Sequence, residues 1–167
     1  SNIPNVPHLD VPVGKDENDN IEIEKKGKIP KFDFKPMSHI ELGEKLNMLD
    51  FDLATKTTGS RFVFVKDKLA YLERAISNFM LDTHINKNGY KEISPPLLAS
   101  ENTMFGTGQL PKFEEDQFEV KLEEGSDRKF LIPTAEVILT NMVKDKIIEL
   151  KSLPMRFVAS TPCFRKE

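Results

Sequence analysis

The clearest hydrophobic pattern along the chain lies between residues 66 and 88. Apolar residues recur there at steps of three and four, the spacing of one helical face: Leu69, Leu72, Ile76, Phe79 and Met80. The pattern predicts a long helix that begins near Lys66 and ends at the pair Asn88-Gly89, where glycine suits a left-handed stop. Tyr71, Ala75 and Asn78 lie on neighbouring faces of this helix, which makes a second contact surface plausible.

Shorter patterns predict strands around this helix. Residues 118–122 alternate apolar and charged side chains, which indicates a half-buried strand, and residues 129–132 return as its hairpin partner after a turn at 125–127. A helix is expected to open at Pro133-Thr134, with Thr134 as its cap and Val137, Ile138 and Leu139 on its apolar face. Two further strands are predicted at 90–94, closed by Pro95-Pro96, and at 156–165, interrupted at Pro162.

The N-terminal part of the chain has a different character. Prolines recur through residues 1–36, which predicts an extended segment, with a short strand possible at Ile21 to Glu24. Ser38 and Glu41 match a capping box, and the helix that follows is expected to end near Asp50. Residues 99–117 show no periodicity and are expected to form a loop. Helices mixed with hairpin-linked strands predict an α+β fold around a largely antiparallel sheet.

Composition and charge exclude several classes of function. Of 167 residues, 38% are hydrophobic and 31% charged, and the net charge of −3 does not give the basic surface typical of a nucleic-acid-binding domain. One cysteine and three histidines, all scattered, argue against disulfides and against a protein-ligated metal site. No apolar run approaches the ~20 residues that span a bilayer, and no signal peptide is visible. These features predict a cytoplasmic protein with no membrane partner.

Two short motifs carry candidate chemistry. Arg165 and Glu167 would share one face of a strand, where a guanidinium can grip a phosphate and a carboxylate can accept from an amine. Such a pattern more often reflects an ordinary cross-strand ion pair. Thr134-Ala135-Glu136 follows a strand and starts a helix, so it reads either as a helix cap or as a site for the α-amino group of an amino acid.

Six segments, in order along the chain, give these motifs a specific context. They are residues 48–51 (Met-Leu-Asp-Phe), 59–62 (Gly-Ser-Arg-Phe), 89–96, 106–113 (Gly-Thr-Gly-Gln-Leu-Pro-Lys-Phe), 133–137 (Pro-Thr-Ala-Glu-Val) and 161–167 (Thr-Pro-Cys-Phe-Arg-Lys-Glu). With them the chain resembles the catalytic domain of the bacterial-type seryl-tRNA synthetases, a family of class II aminoacyl-tRNA synthetases. The resemblance runs from about Ile3 to the last residue, and the segment 106–113 separates seryl enzymes from their prolyl, threonyl and glycyl relatives.

The resemblance implies a function and a set of site residues. It implies ATP-dependent activation of L-serine and transfer to tRNA(Ser), which would bind through parts mostly outside this chain, with Mg²⁺ at the leaving pyrophosphate. The serine-binding loop would be Thr134, Ala135 and Glu136. The ATP-binding residues would be Arg165, Lys166 and Glu167, with Arg165 as the catalytic residue that holds the α-phosphate. The side chain of Lys166, where the family commonly has a small residue, is expected to point away from Arg165.

The resemblance also implies how the chain is organised. Residues 1–36 would be the extended segment that leads into the catalytic domain, after a tRNA-binding arm that is absent here. Residues 37–167 would be the N-terminal half of that domain, within an incomplete class II antiparallel sheet flanked by helices. Motif 1, at about 69–96, would form a homodimer interface, and motif 2 would start at about 155–167. Because motif 3 and its second ATP-binding arginine are not present, the isolated chain is expected to be weakly active or inactive.

Two other functions remain open at this point. A related class II-like ligase could load an amino acid onto a carrier protein, with the same activation step. A non-catalytic, synthetase-like module could act only in dimerisation.

Overall fold

The computed structural model describes residues 6–122, 125 and 127–166, and it divides into two units, Ser1–Leu42 and Gly43–Glu167. The α-helices are α1 (His39–Lys45), α2 (Phe51–Thr57), α3 (Asp67–Asn88), α4 (Glu101–Gly106) and α5 (Glu136–Asn141). The strands are β1 (Leu49–Asp50), β2 (Phe64–Val65), β3 (Lys91–Glu92), β4 (Leu98–Ser100), β5 (Glu119–Val120), β6 (Lys129–Leu131) and β7 (Phe157–Val158). Short 3-10 helices lie at Glu17–Asp19, Glu114–Asp116 and Leu150–Ser152.

The unit Ser1–Leu42 is extended through most of its described residues. The strand predicted at Ile21 to Glu24 is wrong, because that stretch pairs with no other strand and the side chains of Ile21 and Ile23 are exposed. The capping box is confirmed. The Ser38 N–H donates to Glu41 Oε2 at 2.7 Å, and the Glu41 N–H donates to Ser38 Oγ at 3.2 Å. The hydrogen bond from the Ser38 backbone, and after it an interaction of the carboxylate with the Ser38 side chain, lower the pKa of Glu41.

The helix α1 ends at Lys45, earlier than the predicted Asp50. Asn47 adopts a left-handed φ of 54°, which stops the helix, and Leu49–Asp50 pairs antiparallel with Phe64–Val65 instead. Asp50 then caps α2, because its Oδ1 accepts from the Leu53 N–H at 2.9 Å. Its Oδ2 accepts from Lys66 Nζ at 2.9 Å, which ties the start of α2 to the residue before α3. Both contacts lower the pKa of Asp50, the Leu53 backbone bond most.

The long helix α3 confirms the helix predicted from the apolar spacing. It ends at Gly89, whose φ is 68°. No residue of α3 is buried, and its apolar stripe stays in contact with solvent: Leu72 is 50% exposed, Ile76 49%, Phe79 68% and Met80 54%. A neighbouring face of the helix approaches the chain near β7, where Ser77 Oγ lies 2.8 Å from Ser160 Oγ.

The core lies around the three-stranded sheet β4-β6-β5. Both strand pairs are antiparallel, so the predicted hairpin is confirmed, although its strands are shorter than expected. The buried core cluster consists of Ala99, Met104, Leu110, Phe130, Ile132 and Val137. The loop predicted at 99–117 is wrong in its first part, since Ser100 Oγ accepts from the Thr103 N–H and caps the six-residue helix α4. Six residues are too few to show helical periodicity in the sequence.

The strand predicted at 156–165 is reduced to Phe157–Val158, which pairs parallel with Lys91–Glu92 of β3. The remaining sheet pairs are antiparallel, and helices lie beside them. The α+β class is therefore confirmed. None of the described helices is long and apolar enough to cross a membrane.

Candidate active site around Arg165

The segment Pro133–Glu136 connects β6 to α5. Pro133 is buried, Thr134 and Ala135 are half-buried, and Glu136 is exposed as the first residue of the helix. Thr134 lies one residue earlier than the usual capping position, and its Oγ1 accepts from the Glu136 N–H at 3.3 Å. The Glu136 carboxylate forms no hydrogen bond or ion pair with the other described residues. It is therefore available to a cationic ligand.

Arg165 lies beside this segment. The Phe164 N–H donates to the Ile132 carbonyl and the Lys166 N–H to the Asp116 carbonyl, each at 2.9 Å, so the chain at 164–166 runs between β6 and the turn before β5. The side chain of Arg165 turns toward Pro133, and its Nε donates to the Pro133 carbonyl at 3.3 Å. Two motifs that are 32 residues apart in sequence are thereby brought together.

Arg165 and Glu167 were predicted to alternate along one strand, and the structure tests this only as far as residue 166. Residues 161–166 belong to no regular strand, although the N–H groups of Phe164 and Lys166 both donate to neighbouring carbonyls. Glu167 lies outside the described residues. Its predicted place in the nucleotide site stays a prediction.

Arg165 separates two cavities of different character. The first has a volume of about 290 Å³ and is lined by Gln109, Phe113, Asp116, Gln117 and Pro133, together with Arg165. The second has a volume of about 220 Å³ and is lined by Ser60, Arg61, Phe62, Phe118 and Lys166, again with Arg165. Lys166 Nζ lies 5.7 Å from the centre of the Phe118 ring, whereas Arg165 Nε contacts the Pro133 carbonyl. Both residues line the second cavity, and the expectation that Lys166 points away from Arg165 stays a prediction.

Thr134 and Ala135 border a third cavity, of about 410 Å³, on the side of α3. Its other lining residues come from α3, from Val158 of β7 and from the chain after β7, among them Ser77, Leu81, His84 and Ser160. The half-buried residues Thr134 and Ala135 thus line this third cavity, and they directly follow Pro133, whose carbonyl accepts from Arg165 Nε.

Sequence reasoning missed Gln117 and Arg61 as residues of the site. Gln117 is 3% exposed, its Nε2 donates to the Phe113 carbonyl at 2.9 Å, and its Oε1 has no hydrogen-bond partner in the described structure. Arg61 carries a φ of 70°, uncommon for a residue with a side chain. A glutamine in an otherwise polar loop gave no signal of burial, whereas Arg61 was part of a segment that carried the family resemblance.

The site has a positive electrostatic character on one side. Arg61, Arg165 and Lys166 form no salt bridge with any described carboxylate. Guanidinium and ammonium groups in this state bind phosphate oxygens well. The exposed carboxylate of Glu136 suits an amine, and Arg165 lies against the segment from which Glu136 projects. The arrangement therefore fits a ligand pair with an amino group and a phosphate chain.

Comparison with known proteins supports the same interpretation. Residues 117–167 match the family "tRNA synthetase class II core domain (G, H, P, S and T)". The chain is 78% identical, over all its 167 residues, to the serine–tRNA ligase of Pelagibacter ubique, and covers 40% of that protein. It is 55% identical over 165 residues, or 99% of its length, to the serine–tRNA ligase of Caldanaerobacter subterraneus subsp. tengcongensis, and covers 38% of it.

Two solved synthetase structures are similar to this chain in fold. The seryl-tRNA synthetase of Pyrococcus horikoshii, crystallised with ATP, aligns with a TM-score of 0.85 and 36% identity over 98% of this chain and 40% of that one. The cytoplasmic serine–tRNA ligase of Naegleria fowleri, in complex with AMP, aligns with a TM-score of 0.84 and 28% identity over 95% of this chain and 37% of that one. Neither a carrier-protein ligase nor a non-catalytic module is supported by these relatives.

The chain spans about two fifths of the length of the curated relatives it matches. Over nearly its whole length it is similar in sequence and in fold to the corresponding part of the seryl-tRNA synthetases, and residues 117–167 match the core domain of the class II synthetases.

Proposed function

We propose that the protein containing this chain activates L-serine with ATP to form seryl-adenylate and transfers the seryl group to tRNA(Ser). The observation that carries the proposal is the contact between Arg165 Nε and the Pro133 carbonyl. It sets a phosphate-binding cation directly beside the segment Thr134–Glu136, which offers an exposed carboxylate for an amino group. The high identity to serine–tRNA ligases and the fold shared with an ATP-bound synthetase support the same reaction.

The chemistry follows from these groups. A serine carboxylate oxygen attacks the α-phosphorus of ATP, a new P–O bond forms, and the bond to the bridging oxygen breaks so that pyrophosphate leaves. Negative charge builds on the non-bridging α-phosphate oxygens, and the guanidinium of Arg165, already held by Pro133, stabilises that charge without reorganising. In the second step a terminal ribose hydroxyl of the RNA attacks the carbonyl carbon, and AMP leaves.

Substrate positioning is assigned to the remaining residues of the two motifs. Glu136, with Thr134 and Ala135, holds the serine amino group, and Lys166 and Glu167 lie along the nucleotide. Mg²⁺ enters with ATP, bound mainly by phosphate oxygens and water. The described residues do not gather three His, Cys, Asp or Glu side chains into a metal-binding group of their own. Catalysis in this scheme consists of positioning and electrostatic stabilisation, with no covalent enzyme intermediate.

The organisation of the protein is part of the proposal. Residues 1–36 lead into the catalytic domain, residues 37–167 form its N-terminal half, motif 1 spans about 69–96 and motif 2 starts at about 155–167. Motif 1 would form a homodimer interface through the exposed apolar side of α3. The reaction would take place in the cytoplasm.

ATP–pyrophosphate exchange with serine, measured on the full-length protein, tests the proposal. Exchange should be specific for serine. Arg165→Lys should lower its rate about 10²–10³-fold, because lysine keeps the charge and loses the planar fork that meets two oxygens. The melting temperature should change little, since Arg165 is exposed and makes one hydrogen bond.

Arg156→Lys is the matched control, since Arg156 is also exposed and lines none of the three cavities described above. It should leave the exchange rate within about twofold of the unmodified protein. Exchange that survives Arg165→Lys, or that is equally fast with several amino acids, would contradict the proposed function.

A further inference from the structure

The unit Ser1–Leu42 separates charges of opposite sign along its length. Residues 16–24 contain five acidic side chains and no basic one: Asp16, Glu17, Asp19, Glu22 and Glu24. Residues 25–35, here called the basic segment, carry one aspartate and five lysines, a net charge of +4: Asp33, Lys25, Lys26, Lys28, Lys31 and Lys35. The net charge of −3 for the whole chain therefore conceals a basic stretch, and such blocks of like charge are typical of interaction segments.

The acidic stretch that precedes the basic segment has a structural role of its own. Asp16 Oδ1 accepts from the Asn18 N–H at 2.9 Å. Asp19 Oδ2 accepts from the Lys15 N–H at 2.7 Å, so both carboxylates stabilise the turn around the 3-10 helix Glu17–Asp19. No described carboxylate, in this stretch or elsewhere, forms a salt bridge with a lysine of the basic segment. The charge of the basic segment is therefore not neutralised by the part of the chain that the structure describes.

The basic segment presents its side chains to solvent. Every residue from 25 to 35 is exposed, and none belongs to a helix or a strand. A stretch of this length reaches at most about 40 Å, so its lysines can follow a row of negative charges along a polymer, which one small anion does not offer. Because like charges repel one another, a ligand with repeated negative charge stabilises this arrangement.

Two phenylalanines within the basic segment indicate which kind of polyanion it suits. Phe32 is 55% exposed and Phe34 is 63% exposed, and the centres of their rings lie 5.2 Å apart. Lysines interleaved with exposed aromatic rings suit RNA, because its phosphates bind the ammonium groups and its unpaired bases stack on the rings. A membrane of anionic lipids is a less suitable partner, because its broad negative surface would also repel the five carboxylates that directly precede the lysines.

We propose that the basic segment is a contact surface for the backbone of the RNA that receives the amino acid. Lys28, Lys31 and Lys35 lie on phosphate groups in this arrangement, and the rings of Phe32 and Phe34 lie against an unpaired nucleotide. This inference rests on the proposed function, because the RNA is a substrate only of the transfer step. It gives the unit Ser1–Leu42 a role in RNA binding that is separate from the site around Arg165.

Three lysines are changed together to test the surface, because one phosphate contact contributes only a small part of the affinity for RNA. Lys28→Gln, Lys31→Gln and Lys35→Gln are combined in one variant, and the same positions are changed to arginine in a second variant that keeps the charge. The melting temperature should change little, since these side chains are exposed. The matched control removes three exposed lysines of α2 and α3 that form no salt bridge with described residues: Lys56→Gln, Lys68→Gln and Lys87→Gln.

Binding of the full-length protein to a tRNA(Ser) transcript is measured over a range of salt concentrations. The glutamine variant at 28, 31 and 35 should bind about 10–100-fold more weakly, with a log–log salt dependence shallower by about 2–3, since each phosphate contact contributes about 0.7–0.9. The arginine variant should recover most of the affinity, and the matched control should stay within about threefold of the unmodified protein. Phe32→Leu combined with Phe34→Leu should weaken binding about fivefold and leave the salt dependence unchanged, because stacking releases no counterions.

The exchange assay separates this inference from the proposed function. ATP–pyrophosphate exchange contains no RNA, so the glutamine variant should exchange serine within about twofold of the matched control, while its Michaelis constant for tRNA(Ser) in the complete reaction rises. If the unmodified protein does not exchange serine, the proposed function fails, and the transcript measurement still decides whether the basic segment binds RNA.

Three results would overturn the inference. The first is transcript binding that the glutamine variant leaves unchanged or that the matched control weakens equally. The second is binding of the unmodified protein to phosphatidylserine vesicles at the salt concentration at which it binds the transcript, which would favour a membrane surface. The third is a change of oligomeric state in the glutamine variant, seen by sedimentation, which would assign the lysines to the acidic stretch of a second copy.

Discussion

Arg128 and Arg165 show how one side chain serves different purposes in different surroundings. Arg128 contacts three carboxylates, from α4, from the 3-10 helix Glu114–Asp116 and from β5, and its Cζ lies 4.9 Å from the centre of the buried Phe130 ring. These contacts, Glu119 first, raise the pKa of Arg128, and the hydrogen bond from Arg128 lowers the pKa of Glu119. Arg165 has one neutral acceptor, so its charge remains available to a ligand.

The Arg128 cluster predicts a pH-dependent contribution to stability. Because the pKa of Glu119 is lower in the folded state, the ionised side chain stabilises the fold above the pKa of the unfolded chain, and this stabilisation disappears as pH falls through the folded value. Glu119→Gln should therefore lower the melting temperature at pH 7 and have progressively less effect below about pH 4. Glu115→Gln, an exposed neighbour with no salt bridge to described residues, is the control. An equal deficit at pH 7 and pH 3 would contradict the assignment.

At the scale of elements, α3 has two distinct sides. One approaches the chain after β7 through Ser77 and Ser160, and the other presents the apolar side chains of Leu72, Ile76 and Phe79 to solvent. Met80 lies at the boundary, because it is 54% exposed and also lines the cavity beside Ser77. Exposed apolar side chains of this size on one long helix are typical of a protein–protein interface. They are consistent with the proposed homodimer through motif 1.

Charge on that stripe should disrupt the dimer. In the full-length protein, Leu72→Glu or Phe79→Glu would bury a carboxylate in an apolar interface, a cost of several kcal/mol that a dimer does not tolerate. Sedimentation velocity should then show a monomer. Asn78→Glu adds the same charge at an exposed position of α3 outside the stripe and should leave the dimer intact. If both stripe variants remain dimeric, the interface lies elsewhere.

At the scale of the whole molecule, the buried core is local. Its large side chains lie around the sheet β4-β6-β5 with α4 and α5, where Met104, Phe130, Ile132 and Val137 are at most 1% exposed, and Ala54 of α2 is buried outside this cluster. The same sheet leads directly into Pro133, the acceptor of the Arg165 hydrogen bond. The buried core cluster of the unit Gly43–Glu167 thus lies next to the candidate site.

Truncation of a core side chain should destabilise this unit strongly. Phe130→Ala removes a ring that is 1% exposed and should cost about 3–5 kcal/mol of unfolding free energy, read from guanidinium denaturation. Phe105→Ala, at a phenylalanine that is 65% exposed, is the matched control and should cost less than about 1 kcal/mol. Similar midpoints for the two variants would mean that the core does not determine the stability of the chain.

The sequence by itself determined the features that depend on neighbouring residues. The spacing of apolar side chains defined α3, Gly89 defined its end, and Ser38 with Glu41 defined the start of α1, because each interaction closes within one or two helical turns. The same local signals located the β5–β6 hairpin and the two candidate motifs. They overestimated the strand at 156–165, whose length depends on the partner it meets.

Only the tertiary structure decided which residues and elements from distant parts of the chain lie next to one another. It paired β3 with β7 in parallel, placed Arg165 against Pro133 and collected Arg61, Phe118 and Lys166 into one cavity. These juxtapositions join residues far apart in the chain and arise from packing of whole elements on a shared core, so no local pattern of residue types encodes them. For that reason the sequence identified Arg165 and Glu136 as candidates, whereas the fold placed the side chain of Arg165 beside the segment that carries Glu136.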